Sequence, residues 1–541
     1  MKIKHTLCLP LLISILILCS QQIKAQTQPE KFQPNWESLQ QYEAPEWFRD
    51  AKFGIWAHWG PQCQPEAGDW YGRFMYDEGN WKYNWHLQKY AHPSEFGFKD
   101  VMNFWKAEKW DPEKLVALYK RAGAKYFFAM GNHHDNLDLW DSKYQEWNSV
   151  KVGPKKDILQ GWAKAAKNNG LPFGISIHST HAWTWYETSR RADKEGKYKG
   201  IPYDGNLTKE DGVGKWWEGL DPQKLYVQNH PLSLDSNNTN AIFNQWDWNN
   251  GAALPSKEYI ENFYNRTMDM MNKFNPDLIY FDDSVLPFWP VSEVGLELAA
   301  NFYNSNLKLH NNKLEAVLFG KILSEEQKGC MVWDVERGAA ETIQEKPWQT
   351  CTCIGDWHYD VNVYNNNSYK SAKTVMQMLV DIVSKNGNLL LNIPVKGDGS
   401  IDDKELKIVE DITKWMDINS ECIYGTRPWK VYGEGPIVDN TQAKKAVQFQ
   451  FDEGKKGAYT SEDIRFTKKG NVLYAVVMEL PENKNTILIK SLAKSGDKNN
   501  SFKKVKMLGG KVKSFKFTNE GLSINLCKKN DLVAPIVFKI Y

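Results

Sequence analysis

The sequence has neither a strong net charge nor a dense basic segment. Its 68 Lys and Arg residues nearly balance its 66 Asp and Glu residues, which leaves a formal charge of +2. A surface that binds nucleic acid needs clustered Lys and Arg, and the chain contains no such run or basic helix. We therefore predict a small or uncharged ligand and no nucleic-acid partner.

Motifs that hold metals or nucleotide cofactors are also missing. The chain has no CxxC, HxH or HExxH spacing for zinc, and no GxGxxG or Walker motif follows a predicted strand. We predict no metal and no cofactor. The cysteines beyond the N-terminal segment do not reveal their pairing; they are Cys63, Cys330, Cys351, Cys353, Cys422 and Cys527.

Long apolar runs are absent beyond the N terminus. There, Lys2 and Lys4 precede a short apolar core, and Ala25 offers a small residue to a signal peptidase. The run is too short to favour a permanent span. We predict a signal peptide over residues 1–25, no membrane span, and export to the periplasm or the medium. Lipidation at Cys19 is less favoured, because Leu18 precedes it where lipoproteins usually have a small residue.

Tryptophan is abundant but unevenly distributed. Of the 24 tryptophans, 22 precede residue 360 and none follows Trp429. This separates an aromatic-rich body from an aromatic-poor tail. A Trp ring can stack on the C–H face of a sugar, although most of these residues are expected simply to pack the core.

Eight short apolar runs after residue 50 predict buried strands. They do not alternate with polar residues, which is typical of a parallel sheet covered on both faces. Helices lie between them: Asp111 and Pro112 are an N-cap and a first helical residue, and Asp157 opens a second helix. The predicted strands are 52–58, 124–130, 173–178, 277–282, 314–319, 330–335, 348–354 and 387–393.

The repeated strand and helix units predict an α/β fold, with a TIM-type (β/α)8-like barrel, regular or irregular, over residues 26–428. The long segments 61–110 and 179–258 follow strands, which places them on the C-terminal rim where active sites lie. From residue 429 the pattern changes to four short predicted strands separated by Gly, Asn and Lys turns: NVLYAVVMEL, NTILIKSL, LSINLCKK and PIVFKIY. Residues 429–541 are therefore predicted to form a C-terminal antiparallel β-sandwich.

Polar residues with chemical capability stand at the ends of the predicted strands. They are His58, His133, His134, His178, Asp282, Asp283 and Glu336. In a parallel barrel these strand ends meet on one rim. Adjacent His133 and His134 would point apart on an extended strand, so binding of one ion by both is disfavoured. Metal catalysis is the lesser interpretation.

Two carboxylates on different strands suit glycoside hydrolysis. One attacks the anomeric carbon or activates water, and the other protonates the leaving oxygen. The residues alone leave structural alternatives open. Asp282 could cap a helix or close a loop turn, and Glu336 could form an ordinary ion pair with Arg337 or another base.

A set of motifs makes the function more specific. Six of them follow one another between about residues 40 and 430: WFRDAKFGIWAHWGP, DWYGRFMY, GNHHDNLDLWDS, NPDLIYFDD, PWQTCTCIGDWHY and LVDIVSKNGNLLLNIP. Together they resemble the α-L-fucosidases of glycoside hydrolase family 29 across the whole predicted barrel. The resemblance implies an exo-acting, retaining enzyme that releases terminal α-L-fucose from oligosaccharides or glycoconjugates.

The resemblance also implies roles for the two carboxylates. Asp282, in YFD, stands at the position of the nucleophile, and Asp283 is its neighbour where many relatives have glycine. Glu336, twelve residues before Trp348, stands at the position of the acid/base, with Glu341 in reserve. A covalent intermediate requires the two carboxyl groups to lie about 5–5.5 Å apart.

Substrate-binding residues follow from the same resemblance. His58, His133 and His134 would hydrogen-bond the fucose hydroxyls, because an imidazole ring both donates and accepts. Aromatic walls are expected as well, with an apolar pocket for the 6-deoxy methyl group. The wall residues are Trp70, Tyr71 and Trp357. His178 matches no family ligand, and a packing role is equally open for it.

Two other functions stay open. One is a non-catalytic fucoside-binding protein that kept the barrel, although the presence of both Asp282 and Glu336 argues against it. The other is the same fold acting on a related sugar such as α-L-galactose, which carries a 6-hydroxyl and needs a more polar pocket. The sequence does not reveal the linkage, the aglycone or the oligomeric state.

Overall fold

The computed structural model describes residues 30–541 except 235, 237–247, 443–452, 454–456, 483–484, 494–501 and 528–531. Within this part, Phe32–Tyr541 form one compact unit. The predicted signal peptide and Cys19 lie outside the described residues. Among the helices that are described, none has both the length and the apolar character needed to cross a bilayer. The six cysteines after residue 25 are all described, and all are free thiols.

Eight parallel strands close into a barrel in sequential order, and β1 pairs with both β2 and β8. The strands are β1 (Phe53–Ala57), β2 (Phe127–Asn132), β3 (Phe173–Ile177), β4 (Leu278–Phe281), β5 (Val317–Gly320), β6 (Val332–Glu336), β7 (Trp348–Cys353) and β8 (Gly387–Asn392). Each one overlaps a predicted strand. The barrel prediction is confirmed.

Burial on both faces explains why the strand sequences do not alternate. Every residue of β1, β2, β3 and β8 is buried, with the barrel interior on one side and helices on the other. Such strands keep apolar residues on both faces, and the polar residues are left to the strand ends.

Helices surround the barrel and also fill the connections on its rim. They are α1 (Trp36–Leu39), α2 (Glu46–Ala51), α3 (Tyr71–Phe74), α4 (Trp81–Lys89), α5 (Phe98–Phe104), α6 (Pro112–Arg121), α7 (Ile158–Asn168), α8 (Ala182–Trp185), α9 (Pro222–Tyr226), α10 (Lys257–Phe274), α11 (Val294–Leu309), α12 (Val361–Asn365), α13 (Ala372–Ser384), α14 (Asp403–Asn419) and α15 (Pro436–Gln442). The two predicted caps are confirmed: Asp111 accepts from Lys114 N, and Asp157 accepts from Gln160 N.

The C-terminal part forms two antiparallel sheets, as predicted. The five-stranded sheet has the order β13, β16, β11, β10, β9, and the three-stranded sheet has the order β12, β15, β14. Their strands are β9 (Arg427–Glu434), β10 (Ile464–Lys469), β11 (Val472–Val477), β12 (Thr486–Ile489), β13 (Val505–Met507), β14 (Val512–Phe517), β15 (Leu522–Leu526) and β16 (Ile536–Ile540). The predicted domain boundary at 428/429 falls within β9 and stays a prediction.

The five-stranded sheet uses both faces. One face shares a core with the three-stranded sheet, including Phe466, Ile524 and Phe538. The other face contributes Val476 and Val537 to the core of the barrel. The C-terminal sheets thus pack directly on the barrel. The residues on this second face belong to the same hydrophobic core as the barrel helices.

The barrel interior should not tolerate a side chain at Gly54. A Cβ there would lie 2.2 Å from the ring of Tyr126, and Tyr126 is itself held by a hydrogen bond of 2.9 Å to Gln349 Oε1. We expect Gly54→Ala to lower the free energy of unfolding by about 1–3 kcal/mol through overpacking, measured by urea denaturation. Gly329→Ala is the control, because its Cβ would meet nothing closer than Lys346 Nζ at 3.4 Å. Equal stability of the two variants would contradict this expectation.

Candidate active site

The C-terminal ends of the barrel strands bring a ring of polar side chains together. In order around the rim, the residues are His58 after β1, His133 and His134 after β2, His178 after β3, Asp282 after β4, Lys321 after β5, Glu336 at the end of β6, and Trp357 and His358 after β7. Parallel strands place all of these positions at one end of the barrel. The rim is therefore the candidate active site.

Asp282 is surrounded by three basic side chains. Its Oδ2 lies 3.1 Å from His134 Nε2 and 3.0 Å from His178 Nδ1, and its Oδ1 accepts a hydrogen bond from Lys321 Nζ. Its backbone N–H donates to Ile177 O at 3.0 Å and continues the ladder between β3 and β4. The backbone and the side chain of Asp282 are both held in place. His178 therefore takes a polar part in the site, beyond packing.

Lys321 connects Asp282 to Glu336. Its Nζ donates to Asp282 Oδ1 and, over 2.8 Å, to Glu336 Oε2. Two oxygens bonded to one nitrogen are no more than about 6 Å apart. The structure thus brings the two predicted carboxylates together. Glu341, the reserve candidate for the acid/base, lies close enough to Tyr432 of β9 for its charge to act on that side chain.

The protonation of this group follows from burial and charge. Burial by itself would raise the pKa of Asp282, but the Lys321 charge and the two histidines more than offset it and hold the pKa well below its usual range. Burial likewise opposes the charge on Lys321, while Asp282 and Glu336 raise the pKa of Lys321 well above its usual value. The result is an ionised Asp282 beside a cationic Lys321.

The histidines form a second buried group. The ring of His58 lies 5.2 Å from that of His133 and 4.7 Å from that of His358. Within the described part of the chain, His58 Nδ1, His178 Nε2 and His358 Nε2 are buried without a hydrogen-bond partner. Burial and neighbouring histidines lower the pKa of His58 and His133 well below the usual value. Neutral rings with free nitrogens can donate to or accept from hydroxyl groups.

The expectation that His133 and His134 point apart is wrong. Their ring centroids are 4.3 Å apart, because β2 has a register shift near its end and the chain turns where Asn136 N donates to His133 O. Two groups of three histidines have ligand atoms within 4.8 Å of one another; they are His58, His133, His358 and His133, His134, His178. The geometric argument against metal binding therefore fails, and the absence of a metal stays a prediction.

Two asparagines at strand ends hold the backbone of the site. Asn392 accepts from His58 N at 2.9 Å and donates to Trp357 O at 2.8 Å. Asn132 accepts from His178 N at 3.2 Å. These amides link neighbouring strand ends beyond the point where the barrel ladder stops, so they position the backbone of His58, His178 and the Trp357 loop.

Asp69 orients the loop that carries Trp357 and His358. Its carboxylate accepts from His358 N at 2.8 Å and lies 3.1 Å from His358 Nδ1. The Trp357 ring then lies 5.5 Å from the Trp56 ring and 5.6 Å from the His58 ring. Trp357 is thus one of the predicted residues that the structure brings into the group.

Trp70 and Tyr71 are placed differently. Tyr71 is buried, and its hydroxyl lies 2.6 Å from His86 Nδ1 with Phe98 against the ring. Trp70 stacks on Phe74 and adopts a left-handed backbone with a φ of 58°. The contacts described here do not connect either side chain to Asp282, and their role as fucose walls stays a prediction.

Asp283 has a structural task next to Asp282. Its carboxylate accepts from Ser284 N at 2.8 Å and from Phe288 N at 3.4 Å, and lies 3.5 Å from His181 Nε2. It closes the turn after β4. The sequence had left this turn-closing role open for the neighbouring Asp282.

Sequence reasoning missed Lys321 and His358. Lys321 stands directly after β5, as the other site residues do after their strands, so the rule of strand ends could have found it. His358 lies five residues beyond β7, and contacts of its loop with Asp69 and Asn392 bring it back to the rim.

A barrel that brings an aspartate and a glutamate to one nitrogen on its rim has the arrangement of a glycoside hydrolase. The α-L-fucosidase family model matches residues 19–421, and the model of the α-L-fucosidase C-terminal domain matches residues 458–540. The chain belongs to the α-L-fucosidase family. It is a glycosidase, with the family's catalytic barrel and C-terminal domain.

Relatives cover most of the chain at low identity. Tissue α-L-fucosidase of Bos taurus is 24% identical over 479 residues, which span 87% of this chain and 83% of the relative. The α-L-fucosidase of Branchiostoma floridae is 25% identical over 483 residues, with 87% and 86% covered. The solved α-fucosidase of Thermotoga maritima in complex with fucose has a TM-score of 0.66 and 24% identity, covering 94% of this chain and all of that one. This structural likeness supports the fold.

The buried histidines should make stability depend on pH. Burial lowers the pKa of His358 from 6.5 to about 3. Between these values the unfolded chain binds a proton that the folded protein does not, so this histidine costs stability as the pH falls. Relative to His358→Asn, the wild type should lose about 1.4 kcal/mol of unfolding free energy per pH unit below 6.5. Urea denaturation at several pH values measures this difference, and a difference that does not change with pH would contradict it.

Proposed function

We propose that this protein is an exported, exo-acting, retaining α-L-fucosidase that removes terminal α-L-fucosyl residues from oligosaccharides or glycoconjugates. The observation that carries the proposal is the group formed by Asp282, Lys321 and Glu336, in which two carboxylates from different strands share one ammonium. A spacing of this order suits a covalent intermediate. Export rests on the N-terminal segment with Lys2 and Lys4 ahead of an apolar run.

In the first step, Asp282 attacks the anomeric carbon of fucose. Glu336 gives its proton to the glycosidic oxygen as the C–O bond breaks, so the leaving sugar departs as a neutral alcohol. The product is an ester between fucose and Asp282. Lys321 keeps Asp282 ionised before the attack, and it stays beside Glu336 when that residue becomes negatively charged.

In the second step, Glu336 removes a proton from water, and the water attacks the anomeric carbon. The bond to Asp282 breaks, fucose leaves with its original configuration, and Glu336 is protonated again. Two inversions at one carbon give net retention. No cofactor takes part in either step.

The histidines supply sugar recognition. His58, His133 and His134 are the predicted ligands of the fucose hydroxyls. His58, His178 and His358 each keep a buried ring nitrogen without a partner among the described residues, which supports a role for these rings in binding hydroxyl groups. Trp357, whose ring lies 5.6 Å from the His58 ring, would form one wall of the sugar site. The Thermotoga relative was solved with fucose, which supports a fucoside as the substrate of this chain.

Replacement of the nucleophile gives the first test. We expect Asp282→Gly to lose about 10³- to 10⁵-fold in kcat on 4-nitrophenyl α-L-fucoside, because no ester can form. Azide should restore turnover by entering the vacated space and should give β-L-fucosyl azide, identified by NMR. Asp283→Asn is the matched control and should keep activity within about tenfold. Undiminished activity of Asp282→Gly would remove Asp282 from the mechanism.

The second test separates the acid role of Glu336 from its base role. A fucoside whose leaving group needs no proton does not require the acid role. We expect Glu336→Ala to lose at least about 100-fold more kcat/KM on methyl α-L-fucoside than on 2,4-dinitrophenyl α-L-fucoside. Glu341→Ala should affect both substrates alike. An equal loss on both substrates in Glu336→Ala would argue against the acid role.

A further inference from the structure

We infer that Arg337, together with the indole of Trp357 against which it packs, forms the binding position for the sugar on the leaving-group side of the scissile bond, and that this sugar is a neutral pyranose. The inference rests on the proposed function, since it takes Glu336 as the acid. The sequence had left the preferred leaving group open, and Arg337 and Trp357 give that group a binding position.

The position of Arg337 follows from the order of the strands. Asp282 follows β4, and Glu336 is the last residue of β6. The partners of Arg337 lie at the end of β7 and just beyond it. They are therefore on the side of Glu336 that is away from Asp282. An acid must lie next to the leaving oxygen. A side chain that extends from the acid away from the nucleophile therefore lies where the leaving sugar emerges.

The backbone holds Arg337 in this direction. Its φ of 47° is left-handed, which a non-glycine residue adopts only when its surroundings enforce it. Its N–H donates to Cys351 O at 2.9 Å, and its carbonyl accepts from Glu453 N at 2.9 Å. These two bonds turn the chain after Glu336 and send the guanidinium across the rim.

The guanidinium is fixed but not saturated. Its Nη2 contacts Cys353 Sγ at 2.9 Å and Asp356 Oδ1 at 3.4 Å, and its carbon lies 5.4 Å from the centre of the Trp357 ring. Its Nε is buried and has no hydrogen-bond partner among the described residues. The side chain keeps 29% of its surface exposed. The buried Nε is out of reach, but the exposed part of the guanidinium is a donor that Cys353, Asp356 and Trp357 already hold in place, so a ligand can contact it there.

The surroundings select the class of ligand. An indole ring and a planar guanidinium suit the C–H face and the hydroxyls of a pyranose. The charge of Arg337 already has partners, because Asp356 is an ion-pair neighbour and Asp69 and Glu453 also act on it. The position thus offers directional donors on a guanidinium that already has acidic partners. A neutral hexose or N-acetylhexosamine fits it better than a sulfated or uronic sugar.

The test compares substrates that differ only on the leaving side. Methyl α-L-fucoside needs the proton of Glu336 but has no leaving sugar, whereas α-L-fucosyl-(1→2)-, (1→3)-, (1→4)- and (1→6)-linked disaccharides need both. For the disaccharide that the wild type cleaves fastest, Arg337→Met should lower kcat/KM at least about tenfold more than for the methyl fucoside. Arg337→Gln, which keeps a donor, should lose less.

Other results would overturn the inference. An equal loss on both substrates would mean that Arg337 only positions Glu336, and wild-type hydrolysis of the methyl fucoside but of none of the disaccharides would mean that no leaving sugar is held. A 6-sulfated leaving sugar cleaved as fast as the neutral one would refute the charge argument. Arg121→Met, an exposed arginine at the end of α6, is the control and should leave the ratio unchanged. If wild type cleaves not even α-L-fucosyl fluoride, the proposed function fails instead.

Discussion

The site depends on one buried ammonium held between two partly buried carboxylates. Lys321, Asp282 and Glu336 are largely removed from water, and a buried charge is stable only when it is paired and hydrogen-bonded. Each member therefore constrains the other two, and the strands β4, β5 and β6 must keep their register for all three to meet. The same interaction keeps Asp282, the proposed nucleophile, ionised, so one contact serves both the fold and the proposed chemistry.

Around this group the protein leaves polar atoms without partners, which a folded chain normally avoids. Among the described residues, ring nitrogens of His58, His178 and His358 are buried without partners, and the His178 and His358 rings lie 4.9 and 4.7 Å from the His58 ring. Burying these atoms without partners costs folding free energy. The closed barrel, whose strands are buried on both faces, provides the stability that offsets it. The asparagines at the ends of β2 and β8 then hold the loops that carry these rings. A rigid scaffold with unsatisfied groups on its rim is prepared to bind a ligand rich in hydroxyls.

Much of the fold was predictable because local signals agreed with the global structure. Continuous apolar runs predicted all eight barrel strands, and the caps at Asp111 and Asp157 lie where expected. Strands β9, β10, β13 and β14 were missed in the tail. In β14, most side chains are exposed and three of the six residues are Lys or Ser, so pairing with β15 and not hydrophobicity defines the strand. Edge strands of this kind carry little signal in the sequence.

The sequence by itself determined the barrel, the antiparallel tail, the family and the two carboxylates, because these depend on short patterns and motifs that lie within single strands. Only the tertiary structure decided that Lys321 joins those carboxylates, that His133 and His134 face the same space, and that the His358 loop returns to the rim. These outcomes depend on register, on a turn after β2 and on a contact with Asp69 some 290 residues away in the chain. A local sequence pattern does not determine which strand ends become neighbours. The closure of the barrel determines it.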